Sequence, residues 1–199
     1  MGQFYYSIKE GYNHRTEYNY FNDLNLTDGW QKEVYQKAEQ IYRDNNLTSV
    51  ADVGCGSAFK LLKHFKDDPI VGYDVEPTLS ELKKRYPDYT WKESNFNGRP
   101  KQADLVICSD VIEHVLEPDK LLKYLIKFKP KYIVLSTPDR YLVYGGDHNG
   151  PPRNGTHIRE WNFSEFSNFI SEYLDIEEHF VSNRNQSTQC IVSRIKVEK

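Results

Sequence analysis

The residues best equipped for chemistry are Asp110, Glu113 and His114 in the run SDVIEH (Ser109–His114), and His157 further on in GTHIREWNFSEF (Gly155–Phe166). Two carboxylates and two imidazoles are a donor set for a divalent cation such as Mg2+, with positions left open for substrate oxygens. An imidazole could instead take a proton from a hydroxyl, because its ordinary pKa lies near neutrality. The plainer alternative is a solvated helix start with a histidine-bearing loop nearby, and His114 alone reads equally well as structural. A second group lies upstream. DVGCGSAF (Asp52–Phe59) is an apolar strand ending in a glycine turn, where Gly54, Cys55 and Gly56 let the backbone approach a ligand. Asp74, followed by Val75, comes 22 residues after Asp52 and can accept from both hydroxyls of a ribose. A dinucleotide fingerprint would require glycine where Phe59 stands, so that reading fails.

These residues depend on the elements that carry them. Apolar periodicity predicts a helix over Gly29–Asn45, with Trp30, Val34, Ala38, Ile41 and Tyr42 on one face. Strands are expected at Thr48–Gly54, Ile70–Asp74, Tyr89–Glu93, Ala103–Cys108 and Lys131–Pro138. Helices are expected between them from Ala58 to Phe65, from Pro77 to Pro87 and from Pro118 to Phe128. A glycine-rich loop then runs from Asp139 to Trp161. Asn162 and Glu165 at capping-box spacing open a final helix, and LDIEEHFVS and QCIVSRIKVE close the chain as an antiparallel hairpin. The alternation implies an α/β fold, a Rossmann-like doubly wound and mostly parallel seven-stranded sheet with an antiparallel C-terminal hairpin. In such sheets ligands bind beyond the carboxyl ends of the strands, where Gly54, Asp74, Glu93 and the SDVIEH cluster all fall.

A chain of 199 residues without internal repeats reads as one domain over 1–199, with an N-terminal substrate or lid segment (1–28) and an active-site loop (139–161). The formal charge of -3 provides no global basic field for nucleic acid. Three dispersed cysteines without a C-x-x-C pair suit a reducing compartment, and no apolar run is long enough for a signal peptide or a membrane span. The expectation is a soluble cytoplasmic protein. Met1-Gly2 begins like a myristoylation site, but Tyr6 stands where Ser or Thr is needed.

The pattern Asp-x-Gly-x-Gly-x-small, from Asp52 to Ala58, resembles motif I of class I S-adenosylmethionine (SAM) methyltransferases. That resemblance covers roughly Thr48 to Pro138 and implies SAM as cofactor. It would place Asp52 near the cationic ammonium and sulfonium, Asp74 and Val75 at the ribose, Asn95 and Phe96 at the adenine, and Ser109 beside the transferred methyl group. Two narrower resemblances concern the acceptor. One is to small sugar or natural-product O-methyltransferases, some of which use magnesium on a vicinal diol. The other is to enzymes that methylate the terminal 2′-hydroxyl of small RNAs, whose Glu-x-x-Glu-His followed by a His before Glu-Trp maps onto Asp110, Glu113, His114 and His157. Asp110 is one methylene shorter than the Glu of that signature. The sugar-like small molecule is the preferred acceptor. RNA, N-methylation of an amine, and a non-catalytic partner-binding subunit are the alternatives, and a homodimer is compatible with the aromatic N-terminus.

Overall fold

The computed structural model describes residues 5–197. The Met1-Gly2 dipeptide and the start of the N-terminal segment lie outside the described residues. Seven strands form a single sheet in the order β3-β2-β1-β4-β5-β7-β6. The strands are β1 Val50–Val53, β2 Ile70–Asp74, β3 Thr90–Glu93, β4 Leu105–Ser109, β5 Tyr132–Pro138, β6 Leu174–Asn183 and β7 Thr188–Ile195. β1 to β5 pair in parallel, while β7 runs antiparallel to β5 and to β6. The expected sheet and closing hairpin are therefore both present.

The chain winds outward from β1 to β3, then returns to place β4 on the other side of β1. This reversal leaves a crevice between the ends of β1 and β4, where no crossover helix covers the sheet. β1, β4 and most of β5 are buried along their lengths, which is why they read as unbroken apolar runs. The edge strand β3 buries only Trp91.

Helices cover both faces: α1 Lys32–Asp44, α2 Phe59–Phe65, α3 Thr78–Arg85, α4 Pro118–Ile126, α5 Arg140–Tyr144 and α6 Phe163–Ser171. α1 buries Val34, Tyr35, Ala38, Ile41 and Tyr42, one stripe at helical spacing. Trp30 does not join that stripe. The helix starts later than its apolar pattern suggests, after Gln31 in a left-handed conformation, and Trp30 is 61% exposed. α4 contributes Leu121, Leu122 and Leu125 to the core on the opposite face. α6 has the expected capping box, Asn162 accepting from the Glu165 amide and Glu165 from the Asn162 amide.

α5 lies inside the segment expected to be all loop. Asp139 caps it by accepting from the amides of Tyr141 and Leu142. The buried Arg140 guanidinium, paired with Glu165 at 2.7 Å, pins it to α6. So short a helix has too few turns to show a period, which is why the sequence conceals it.

Candidate functional site

A cavity of about 610 Å³ lies over the carboxyl ends of the parallel strands. Gly54, Cys55 and Gly56 form its floor after β1, Asp74 and Val75 border it after β2, and Asn95 and Phe96 after β3. Ser109 and Asp110 close the side nearest β4. Eight of the nine residues expected at the cofactor thus line one cavity. The exception is Asp52, which is fully buried beneath the glycine turn and accepts from the Tyr35 hydroxyl at 2.8 Å. Its other oxygen, Oδ1, is buried without a hydrogen-bond partner, and burial raises its pKa from 3.8 to about 7. The sequence gives no sign of this pairing, because Tyr35 belongs to a helix that precedes β1.

Asp74 is better placed for a ligand. Its carboxylate accepts from the amides of Gly56 and Val75, both at 2.8 Å. Two of roughly four acceptor positions are filled, leaving capacity for a pair of ribose hydroxyls. Burial still raises its pKa, to about 6.

Beside the cavity, at the β4 end, Glu113, His114 and His157 each offer a ligand atom, all within 4.8 Å of one another. The backbone explains how they meet. The chain leaving β4 makes a single 3-10 turn over Ile112–His114, and the Glu113 carbonyl accepts from the Ile158 amide at 2.7 Å. That bond brings the distant loop to the turn and sets the His157 ring edge-on to the His114 ring at 4.7 Å.

Each imidazole has its Nδ1 committed to an oxygen acceptor. His114 Nδ1 donates to the Thr156 carbonyl at 3.0 Å, and His157 Nδ1 lies 2.5 Å from a Glu160 oxygen. In both rings the Nε2 lone pair is therefore presented, the arrangement found at metal-ligating histidines. In this structure Asn154 Nδ2 donates to His157 Nε2 at 2.9 Å. Glu113 is fully buried: Oε2 accepts from Thr137 at 3.0 Å, and Oε1 has no partner. Burial, reinforced by the charge of Asp110, pushes its pKa well above the ordinary carboxylate value. Burial also lowers the His114 pKa to about 4, so the ring is neutral: a weak base, but a competent ligand.

Asp110 stands apart from this cluster. It adopts a left-handed backbone (φ 51°), which Asp tolerates better than longer side chains, and its carboxylate accepts from Ser136 Oγ at 2.6 Å. The shorter acid is thus tied to β5 and faces the cavity, while the other three converge behind it.

The N-terminal segment crosses the cavity mouth as a strap. At one end the Asn13 and Arg15 amides bond to the carbonyls of Asn149 and Ile158, and Arg15 Nη2 donates to the Pro152 carbonyl. Gly150 permits the approach, since a Cβ there would overlap the Asn13 carbonyl. At the other end Tyr20 bonds to Thr78, and Ser57 donates to the Asn25 carbonyl at 2.6 Å. Between these anchors Tyr18, Tyr20 and Phe21 line the cavity, with Phe21 stacked on His114 at 5.6 Å. His14 and Arg15, polar residues of the segment expected to serve the substrate, are not among the lining residues. In the loop, His148 stacks on Tyr144, and Arg159 is buried, donating to the carbonyls of Val115 and Leu116.

Comparison with known proteins accords with this geometry. A family model described as "Methyltransferase domain" matches residues 20–179. No curated protein matches the chain by sequence. Among solved structures, the methyltransferase domain of a bacterial Hen1 (CtHen1-C) superposes with a TM-score of 0.67 at 22% identity, covering 87% of this chain and all of that one. DesVI from Streptomyces venezuelae gives 0.64 at 14% identity, covering 86% and 94% of the two chains. Magnesium protoporphyrin IX methyltransferase from Synechocystis PCC 6803 with bound SAH gives 0.62 at 17%, covering 83% of each. These likenesses show the fold. No helix among the described residues is long and apolar enough to cross a membrane. With a family model spanning most of the chain and the sheet topology and cavity in place, the protein belongs to the methyltransferase domain family and is a SAM-dependent methyltransferase.

Proposed function

We propose that the protein methylates a hydroxyl of a polar small molecule, a sugar or glycan unit with vicinal hydroxyls, using a divalent cation held by Glu113, His114 and His157. The observation carrying this reading is Glu113: one of its carboxylate oxygens lies within 4.8 Å of a nitrogen of each imidazole, and its buried Oε1 has no partner. Leaving a buried carboxylate unpaired is costly, and a cation would supply the missing charge. One oxygen and two nitrogens suit an ion such as Mn2+ at least as well as Mg2+, which prefers an all-oxygen shell.

The cation would lower the pKa of an acceptor hydroxyl, and SAM supplies an electrophilic methyl carbon on its sulfonium. With SAM bound, Asp74 and Val75 would hold the ribose, Asn95 and Phe96 the adenine, and Gly54, Cys55, Gly56 and Ser109 would shape the path of the methionine portion. Asp52, out of direct reach, contributes negative charge beneath the sulfonium. Phe21 and Tyr18 give an apolar face for a sugar ring. Asp110, at the cavity wall, is placed to accept from an acceptor hydroxyl. Within the N-terminal segment (1–28), the strap from Asn13 to Asn25 closes a single domain over cofactor and acceptor, and the loop over 139–161 delivers His157. Positioning supplies most of the help that an in-line displacement requires.

A second reading is favoured by one specific observation: the Glu113, His114 and His157 positions match the signature of enzymes acting on the terminal ribose 2′-hydroxyl of small RNA. Net charge of -3 counts against it. Labelled methyl transfer from SAM to nucleotide sugars and to short RNA duplexes, each with and without chelator, separates the two. Chelator-sensitive label in the sugars supports the proposal, and label at RNA 3′ ends replaces it with the second reading. Chelator-insensitive transfer removes the metal from both.

A further inference from the structure

Lys60 takes no part in the contacts of the acidic–histidine cluster or of the glycine turn. It sits in the first turn of α2, directly after the glycine turn, is 7% exposed, and lines the cavity. Among the described residues its ammonium has no hydrogen bond and no ion pair; its nearest aromatic neighbour is the Tyr35 ring, 5.9 Å from Nζ to centroid. Buried lysines are rare unless paired, because the ammonium loses its hydration. Neither neighbouring carboxylate bonds to it: Asp52 accepts from Tyr35 through one oxygen, and Asp110 accepts from Ser136.

The position of Lys60 indicates what would pair with it. Asp74, the ribose candidate, lies at the end of β2, and the adenine candidates follow β3, on one side of the glycine turn. Ser109 and Asp110 lie at the end of β4, on the other side, and Lys60 exerts its charge on both Asp52 and Asp110. A SAM molecule with its nucleoside at Asp74 extends its methionine portion over the glycine turn toward β4. That end is a zwitterion. The acids at β1 and β4 suit its ammonium, and the Lys60 ammonium suits its carboxylate.

We infer that Lys60 binds the carboxylate of the methionine portion of SAM, so that a single buried ammonium distinguishes the intact cofactor from analogues lacking that group. The inference rests on SAM being the cofactor and is independent of the acceptor and of any metal.

The test is calorimetric titration of wild type, Lys60→Gln and Lys60→Arg with S-adenosylhomocysteine, SAM and decarboxylated SAM, which keeps the amine and the sulfonium. Lys60→Gln should weaken the two carboxylate-bearing ligands by about 10- to 100-fold, the usual range for a hydrogen bond to a charged group. Decarboxylated SAM should bind wild type and Lys60→Gln alike, which also shows that the variant is folded. Lys60→Arg should recover part of the loss. Equal weakening of all three ligands, or none, would overturn the inference. So would unchanged SAM affinity with a raised KM for an anionic acceptor.

Discussion

Replacing Asp52 by Asn offers a quantitative test of how the motif I acid is held. In the structure this carboxyl is fully buried, with one oxygen bonded to Tyr35 and the other unpartnered, and its pKa is raised from 3.8 to about 7. The folded state therefore binds a proton that the unfolded state releases between those two values. Stability falls as pH rises through that window and levels off above it. The full effect is about 4 kcal/mol, from roughly three pKa units at 1.36 kcal/mol each. Asn mimics the neutral acid: its carbonyl can still accept from Tyr35, and it never ionises. The variant should match wild type near pH 4 and exceed it progressively up to pH 8. There the gain approaches about 4 kcal/mol, or roughly 10 °C in Tm for a chain of this length. Urea unfolding from pH 4 to pH 8 measures this directly. Because Asp74, Asp110 and Glu113 are shifted in the same direction, the difference between the proteins, rather than the wild-type slope alone, isolates Asp52. The same substitution should weaken SAM, whose positive charge favours the anion. A difference that stays constant with pH, or grows toward low pH, would refute the reasoning.

Other consequences can be measured with the same protein. Affinity for S-adenosylhomocysteine should fall below pH 6, by up to about tenfold per unit, as Asp74 takes up a proton and loses acceptor capacity; a flat titration from pH 5 to pH 8 would count against Asp74 at the ribose. Gly54→Ala places a Cβ at φ 78° against Val111 Cγ2, and should cost about 2–3 kcal/mol in urea unfolding. Val111→Ala in that background should restore the part due to overlap. Glu160→Gln removes the carboxylate from His157 Nδ1 and should weaken Mn2+ binding by about 10- to 100-fold, read by electron paramagnetic resonance. Glu113→Gln should abolish that binding while leaving the fold as stable as wild type or more so, since a neutral amide replaces an unpaired buried carboxyl.

The central sheet was legible because its strands are short, buried and bounded by Gly, Pro or charge; Ile70–Asp74 begins and ends where the apolar run does. The capping box of Asn162 and Glu165 was legible for a local reason, two side chains bonding reciprocally across three residues. The meeting of Glu113, His114 and His157 was suggested by their ligand chemistry and by a resemblance, whereas its cause, the Ile158 amide on the Glu113 carbonyl, is a long-range backbone bond with no local signature. Asp110 is the instructive departure. Sequence proximity grouped it with Glu113 and His114, but its left-handed backbone points the carboxylate to Ser136. Trp30 failed for a related reason, as the left-handed Gln31 ends the helical periodicity before reaching it. The N-terminal segment was read as a substrate or lid segment, but aromatic residues without a period do not reveal where such a strap is anchored.

The most direct test of the account is a crystal grown with Mn2+ and S-adenosylhomocysteine and measured for anomalous scattering. One strong peak is expected about 2.0–2.3 Å from Glu113 Oε1 and from Nε2 of both His114 and His157, with the Asn154 amide displaced. A cavity filled by S-adenosylhomocysteine but with no peak at these three atoms, together with His157 still bonded to Asn154, would contradict it.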